Sequence, residues 1–232
     1  MIWKQYLEIE TKMKEALAAA GRPADSARLL AVSKTHPLEA VEELAAQGVR
    51  AFGENKVQEL CAKQEATQYD LEWHLIGHLQ RNKVRQLLKH NVAMIHSVDS
   101  ERLALEIEKE AVKLEKTVDI LVEINIGAEE SKSGVKPEEA ADLVQCIAQN
   151  CPHLMVKGLM CVAPEMPSME AVRPYFTRMR QLKDEIAALN LPGVEMKELS
   201  LGMTGDVPVA IEEGATIIRV GTAIFGKRDY SK

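Results

Sequence analysis

Aromatic residues make up only 4% of the 232-residue chain. No apolar run approaches the ~18–20 residues needed to cross a bilayer, which argues against a spanning segment. The start, Met1-Ile2-Trp3-Lys4-Gln5-Tyr6, lacks the basic-then-apolar order of a secretory signal. Positive charge is also short: 29 Lys and Arg stand against 35 Asp and Glu, a net charge of −6. That balance offers no footprint for nucleic acid, and no stretch interleaves aromatic with basic residues. A cytoplasmic protein that engages neither membrane nor nucleic acid is expected.

Cysteine and histidine are equally sparse. Cys61, Cys146, Cys151 and Cys161 form no Cys-x-x-Cys pair, and the six histidines show no zinc-ligand spacing. Neither a disulfide framework nor a metal site is expected. Linkers rich in proline or serine and low-complexity blocks are missing too, so residues 1–232 read as a single domain.

What the chain does contain is alternation. Trp3, Tyr6, Leu7, Met13 and Leu17 recur at helical intervals, and Gly21-Arg22-Pro23 ends that pattern. Apolar runs follow at 29–33, 49–52, 71–76, 92–98, 118–126, 154–162, 196–201 and 215–220. Between them lie amphipathic stretches at about 37–47, 54–66, 81–90, 99–115, 136–149, 168–190 and 205–213, with room for a short helix after Gly221. Pro37 and Pro137 suit first helical turns, Asp99 and Ser100 suit a cap, and Gly48, Gly193 and Gly214 follow helical patterns as terminators do. The runs are rich in Val, Ile and Leu with little polar alternation, as in parallel strands covered on both faces. Eight such β–α units predict an α/β chain closed into a single (β/α)8 TIM barrel with an extra N-terminal helix. An open doubly wound sheet is the competitor, but no glycine-rich dinucleotide fingerprint follows the first strand.

Lys34 ends the first apolar run and Arg219 lies near the end of the last. In a closed barrel the first and last strands are neighbours, so an amine and a guanidinium would meet at one mouth. Alternation puts Lys34 on the face of Leu30 and Val32, and Arg219 on the face of Ile217 and Gly221. Apolar neighbours and a nearby cation both favour a neutral amine, the form that attacks aldehydes. Barrel enzymes often bind phosphate in the loops after strands 7 and 8. Here those loops are Ser200-Leu201-Gly202-Met203-Thr204-Gly205-Asp206 and Gly221-Thr222-Ala223, with small residues and hydroxyls. An aldehyde that also carries a phosphate answers this pairing, and pyridoxal 5′-phosphate is such a molecule. A guanidinium facing its ring nitrogen can only donate, which leaves that nitrogen unprotonated and the ring a poor electron sink. That points to racemase-like chemistry or to no turnover.

Several motifs also carry a family likeness. Ala31-Val32-Ser33-Lys34-Thr35-His36-Pro37, Phe52-Gly53-Glu54-Asn55-Lys56-Val57-Gln58-Glu59 and Trp73-His74-Leu75-Ile76-Gly77-His78-Leu79-Gln80-Arg81-Asn82-Lys83 resemble pyridoxal phosphate homeostasis proteins of the YggS/PROSC type. So do Lys157-Gly158-Leu159-Met160, Leu199-Ser200-Leu201-Gly202-Met203 and Ile218-Arg219-Val220-Gly221-Thr222-Ala223-Ile224-Phe225-Gly226. The motifs run in order from the first strand to the last. The resemblance implies a barrel similar to the cofactor domain of alanine racemase, with pyridoxal 5′-phosphate bound covalently to Lys34 as a Schiff base. It further implies ring-nitrogen contact from Arg219 and phosphate contact from Ser200, Thr204, Gly221 and Thr222. Asn55 would lie near the ring, Met160 against its face, and His78 nearby. Thr204 stands where the family usually has serine, and Val207-Pro208-Val209 replaces a more acidic helix start.

Alanine-racemase-type enzymes add a second, β-rich domain and a partner-subunit tyrosine as one of two opposed acid–bases. This chain ends at Lys232, just after the last motif, and Tyr6, Tyr69, Tyr175 and Tyr230 sit in no strand-tip motif. Proton transfer on both faces of a carbon needs two placed groups, and Lys34 is the one in evidence. The expected function is therefore to hold pyridoxal 5′-phosphate in intracellular vitamin B6 homeostasis, as a monomer without turnover. Pyridoxal-phosphate-dependent apoenzymes would be the recipients. A pyridoxal-phosphate-dependent amino-acid racemase is the alternative, and an aldolase-like enzyme using Lys157 is a further rival. Arg81, Lys83, Arg85 and Lys89 form a solvated face, a docking face for an acidic recipient, or a second weak site for the phosphate. The loop at 125–134 reads as a surface loop or a mobile lid over the mouth.

Overall fold

In the computed structural model, which describes residues 1–129 and 132–226, the apolar runs form eight strands that close on themselves. Tyr230, and Glu130 and Ser131 of the long loop, lie outside the described residues. The first half runs α1 (Ile2–Ala19), β1 (Arg28–Val32), α2 (Leu38–Ala45), β2 (Ala51–Glu54), α3 (Val57–Ala66), β3 (Glu72–Leu75), α4 (Val84–Leu88), β4 (Val92–Val98) and α5 (Glu101–Lys113). The second runs β5 (Val118–Ile124), α6 (Ala140–Asn150), β6 (Leu154–Cys161), α7 (Met169–Ala187), β7 (Val194–Ser200), α8 (Val207–Glu212), β8 (Ile217–Val220) and α9 (Thr222–Phe225). This is the (β/α)8 barrel with an added N-terminal helix. Every neighbouring pair is parallel, and β8 closes on β1 with Ile218 opposite Leu29 and Arg219 opposite Leu30.

Strand alternation sorts side chains into two shells. Leu30, Met94, Leu121, Met160 and Ile217 fill the barrel interior, with Ala51 and Ile76 against them. Residues of the other parity, such as Leu29, Ala31, Phe52, Trp73 and Ile120, join the apolar helix faces in a larger outer core. Each fully buried large aliphatic or aromatic side chain there contributes roughly 1.5–3 kcal/mol, so the outer shell dominates stability. Helix α1 buries Tyr6, Ile9, Met13 and Leu17 and packs against α2, α8 and α9. Just beyond it, Arg22 donates to the Ile211 carbonyl at 2.6 Å, tying α1 to α8.

Helix ends follow the sequence with small corrections. Pro37 takes the N-cap position of α2 rather than its first turn. Ser100 is the N-cap residue of α5 but makes no side-chain cap bond; its hydroxyl donates to Asp99 Oδ1 instead. The stretch at 81–90 splits into a 3-10 turn, Arg81–Lys83, followed by α4. Gly48, Gly193 and Gly214 all have positive φ, as helix terminators do. Among the described residues no helix is long and apolar enough to cross a membrane, and no cluster of His, Cys, Asp and Glu could hold a metal ion.

Candidate functional site

The C-terminal tips of the strands surround a cavity of about 210 Å³. Val32 and Lys34 reach it from β1, Asn55 and Ile76 from just after β2 and β3, and Val162 from just after β6. Met203 and Thr204 follow β7, Arg219 belongs to β8, and Gly221 and Thr222 open α9. The cavity thus brings together Lys34, Asn55, Thr204, Arg219, Gly221 and Thr222, residues spread over most of the sequence. Ser200 and Met160 lie outside its lining. A larger hollow of about 520 Å³, lined by Leu38, Glu42, Ala66, Gln68 and Tyr69, has no cationic group on its wall.

Arg219 points inward from β8 and is 5% exposed. One terminal nitrogen donates to the Ser200 carbonyl at 2.6 Å and hydroxyl at 2.7 Å; the other donates to the Cys161 carbonyl at 2.8 Å. Among the described residues no carboxylate stands within ion-pair distance of it. Burial lowers its pKa, and Cys161, Glu123 and Asp206 act in the opposite direction. A buried cation held by neutral groups is costly, and an anion in the cavity would offset that cost.

Ser200 is fully buried, and its hydroxyl also meets His96 Nδ1 at 3.0 Å. His96 Nε2 in turn meets His74 Nδ1 at 2.9 Å, so a polar chain runs from the mouth into the barrel. Burial pushes the His74 pKa down to about 3 and that of His96 well below its ordinary value, leaving both rings neutral. Met160 is packed in the interior core with Leu30, Met94, Leu121 and Ile217.

Two glycine turns shape the far wall. Gly202 has φ +84°, and a Cβ there would lie 2.7 Å from the Ala210 Cβ. The turn that follows is closed by Asp206, whose carboxylate accepts the Met203 N–H. Helix α8 begins at Val207 with Pro208 in its first turn, so the Val-Pro-Val sequence preserves the helix start. At Gly221 a Cβ would approach the Val32 carbonyl oxygen to 3.0 Å. The first N–H groups of α9 have no intrahelical partner, and Thr204 and Thr222 add hydroxyls to the same wall.

Sequence reasoning passed over Glu123. It lies on β5, 9% exposed, with Oε2 unpartnered among the described residues. Burial, reinforced by Asp99 and opposed by Arg219, pushes its carboxyl up to about 7. It borders a side cavity of about 130 Å³ that shares Val162 with the main one. An acid inside an apolar run was the available signal.

Other singled-out residues fall elsewhere. Lys157 pairs with Glu195 at 2.8 Å and Asp119 at 3.7 Å, and the hydrogen bond to Glu195 raises its pKa. Asp119 and Glu195 stand at the starts of their strands, so this protonated lysine sits at the end opposite the mouth. His78 is exposed, 3.6 Å from Asp99. Arg81 and Lys89 are exposed, and Arg85 lies 3.9 Å from Glu110. The four cysteines are unbridged, and burial pushes the Cys151 and Cys161 thiols up to about 12.

Comparison with known proteins agrees with this architecture. The pattern of the alanine racemase N-terminal domain matches residues 8–229. A pyridoxal phosphate homeostasis protein of Aquifex aeolicus is 45% identical over 220 residues, spanning 94% of this chain and 95% of that protein. The structure of PipY from Synechococcus elongatus with PLP bound aligns with a TM-score of 0.79 at 36% identity, over 92% of this chain and 100% of that one. Alanine racemase from Corynebacterium glutamicum, at 16% identity and a TM-score of 0.67, shares the fold over 96% of this chain and 61% of its own. With the family's motifs in order and both matches spanning almost the whole chain, it belongs to the pyridoxal phosphate homeostasis protein family and carries the alanine racemase N-terminal domain.

Proposed function

We propose that this chain binds pyridoxal 5′-phosphate covalently through Lys34 and serves vitamin B6 homeostasis as a cytoplasmic, monomeric, single-domain carrier without turnover. It would hand the cofactor to pyridoxal-phosphate-dependent apoenzymes. The observation that carries the reading is the meeting of Lys34, Arg219 and the two glycine turns around one cavity. A buried guanidinium with no carboxylate at ion-pair distance among the described residues, and backbone turns where a Cβ would crowd, suit an anionic ligand lying close to the main chain. The names of the relatives and the PLP-bound PipY structure support it.

Each lining residue has a part in this reading. Lys34 supplies the amine; Thr204, Thr222 and the N–H groups around Gly221 would hold the phosphate. Arg219 would border the ring nitrogen and Asn55 the ring. Ser200 and Met160 would act from beneath, Ser200 by fixing the guanidinium and Met160 by packing the floor. When bound, the cofactor supplies a carbonyl carbon open to amines and a ring that can take up electron density. Arg219 only donates hydrogen bonds, so the ring nitrogen would keep its lone pair. The described lining has no tyrosine, histidine, cysteine or carboxylate to serve as a second proton-transfer group opposite Lys34, which favours a carrier over a racemase.

Borohydride reduction of the yellow protein followed by peptide mapping tests the reading. The pyridoxyl group is expected on Lys34, and Lys34→Ala should lose the visible absorbance while keeping weak phosphate-dependent binding. A label on another lysine would overturn the covalent assignment. Incubation with single-enantiomer amino acids in deuterium oxide should leave Cα unexchanged; sustained exchange would favour the racemase.

A further inference from the structure

Behind the tips of β1 and β2 lies a buried ionic cluster. Ser33 and Glu54 are both fully buried in the layer beside α3, while their neighbours Lys34 and Asn55 line the cavity. The Ser33 hydroxyl donates to Glu54 Oε1 at 2.6 Å. Lys63 on α3 is 7% exposed and donates to that same oxygen at 2.7 Å, to the Ser33 carbonyl at 2.8 Å and to Glu59 Oε1 at 2.9 Å. Glu59 Oε1 also accepts the Thr35 N–H at 2.7 Å. Thr35 has φ +65°, a left-handed conformation that strains a β-branched residue.

Such a cluster is poorly explained by stability alone. Burial pushes the Glu54 carboxyl up to about 6 even though Lys63 and Ser33 pull it down. Well-packed apolar residues of similar volume commonly stabilise a fold as well as a buried ion pair does. Strained backbone beside buried charge is instead what a functional site retains. Here the strain and the charge bracket a single residue: the Ser33 carbonyl and the Thr35 N–H on either side of Lys34 are both anchored.

We propose that Lys63, with Glu54 and Glu59, is a positioning device for Lys34. It fixes the backbone from Ser33 to Thr35 so that the Lys34 amine is presented to the cofactor's carbonyl carbon, and it holds the Glu54–Asn55 step beside it. This inference rests on Lys34 being the covalent attachment point. The proposed phosphate turns belong to β7–α8 and β8–α9, and none of the cluster's hydrogen bonds described above reaches a residue of either turn.

Glu59 is the informative position, because its side chain is 22% exposed and the Lys63–Glu54 pair survives its loss. Glu59→Ala removes the Thr35 anchor, whereas Glu59→Gln keeps an oxygen to accept its N–H. Affinities are measured for pyridoxal 5′-phosphate and for pyridoxamine 5′-phosphate, which has the same ring and phosphate but no aldehyde. Glu59→Ala should weaken the aldehyde ligand about 10-fold or more by misplacing the amine, with pyridoxamine 5′-phosphate affinity unchanged. Glu59→Gln should recover most of the loss, and Lys63→Met should show the same selectivity more strongly; if it does not fold, the Glu59 pair decides. Equal weakening of both ligands, or wild-type behaviour of Glu59→Ala, would overturn the proposal. Lys34→Ala run in parallel separates the two readings. If it keeps the visible absorbance, the attachment point is wrong and positioning falls with it; if it loses the absorbance while Glu59→Ala is unaffected, positioning alone fails.

Discussion

Arg219 donates from a single nitrogen to both oxygens of Ser200, at 2.6 Å to the carbonyl and 2.7 Å to the hydroxyl. The guanidinium is therefore held in place by neutral acceptors and keeps its charge for whatever enters the cavity. Ser200 in turn is braced by His96, so the orientation of the cation is linked to the barrel interior.

Ser200→Ala should remove two buried hydrogen bonds, one from the Arg219 guanidinium and one with His96 Nδ1, and cost about 2–3 kcal/mol in urea unfolding. Its hydroxyl lies off the cavity lining, so affinity for inorganic phosphate should stay near the wild-type value. A loss as large as that of Thr204→Ala would place Ser200 in the phosphate cradle after all.

If Arg219 borders the ring nitrogen as proposed, Arg219→Gln should weaken binding of pyridoxal 5′-phosphate and move the visible absorbance maximum, because that nitrogen would lose its fixed donor. Gln is a cleaner test than Glu, which would add a carboxyl to a site already facing Glu123 and Asp206. An unchanged spectrum would mean that the guanidinium does not border the ring.

Gly202→Ala combines a left-handed backbone with a Cβ only 2.7 Å from the Ala210 Cβ. The expected loss is about 2 kcal/mol or more of stability, together with weaker phosphate binding as the turn shifts. Thermal melting and a phosphate titration on the same sample check both; a variant as stable as wild type would show the turn to be pliable.

Glu123 supplies a pH dependence of defined sign. Its carboxyl rises from 4.5 to about 7 on folding, so between those values the folded protein retains a proton that the unfolded chain has released. Stability from this group is therefore present below 4.5 and is lost as pH rises towards 7. Glu123→Gln removes the dependence, and its melting temperature should gain on wild type across that window and then level off. Glu54 titrates in the same range in both proteins and cancels in the difference. A constant difference at all pH values would contradict the raised carboxyl.

The eight strands could be read from the chain because they are local properties, and the meeting of Lys34 with Arg219 follows from them once the first and last strands close the barrel. A parallel strand covered on both faces needs an uninterrupted apolar run, and side chains alternate with period two, so Leu30 and Ile217 indicate which face is inward. Glycine terminators are likewise local demands on φ. The partners of polar groups are not. The Ser200 hydroxyl meets a histidine 104 residues away, Lys63 caps a carbonyl 30 residues away, and Arg219 reaches the Cys161 carbonyl 58 residues back. Even at short range, Ser100 turned to Asp99 instead of capping α5. Hydrogen bonds and buried charges depend on which tips barrel closure brings within 3 Å or so, and periodicity carries no such distances. Thus the amino-acid order determined the barrel and the two ends of the cavity at its mouth. Only the packing of neighbouring strands and helices decided that Ser200 would steady Arg219, that burial would raise the Glu123 carboxyl, and that Lys63 would stand behind Lys34.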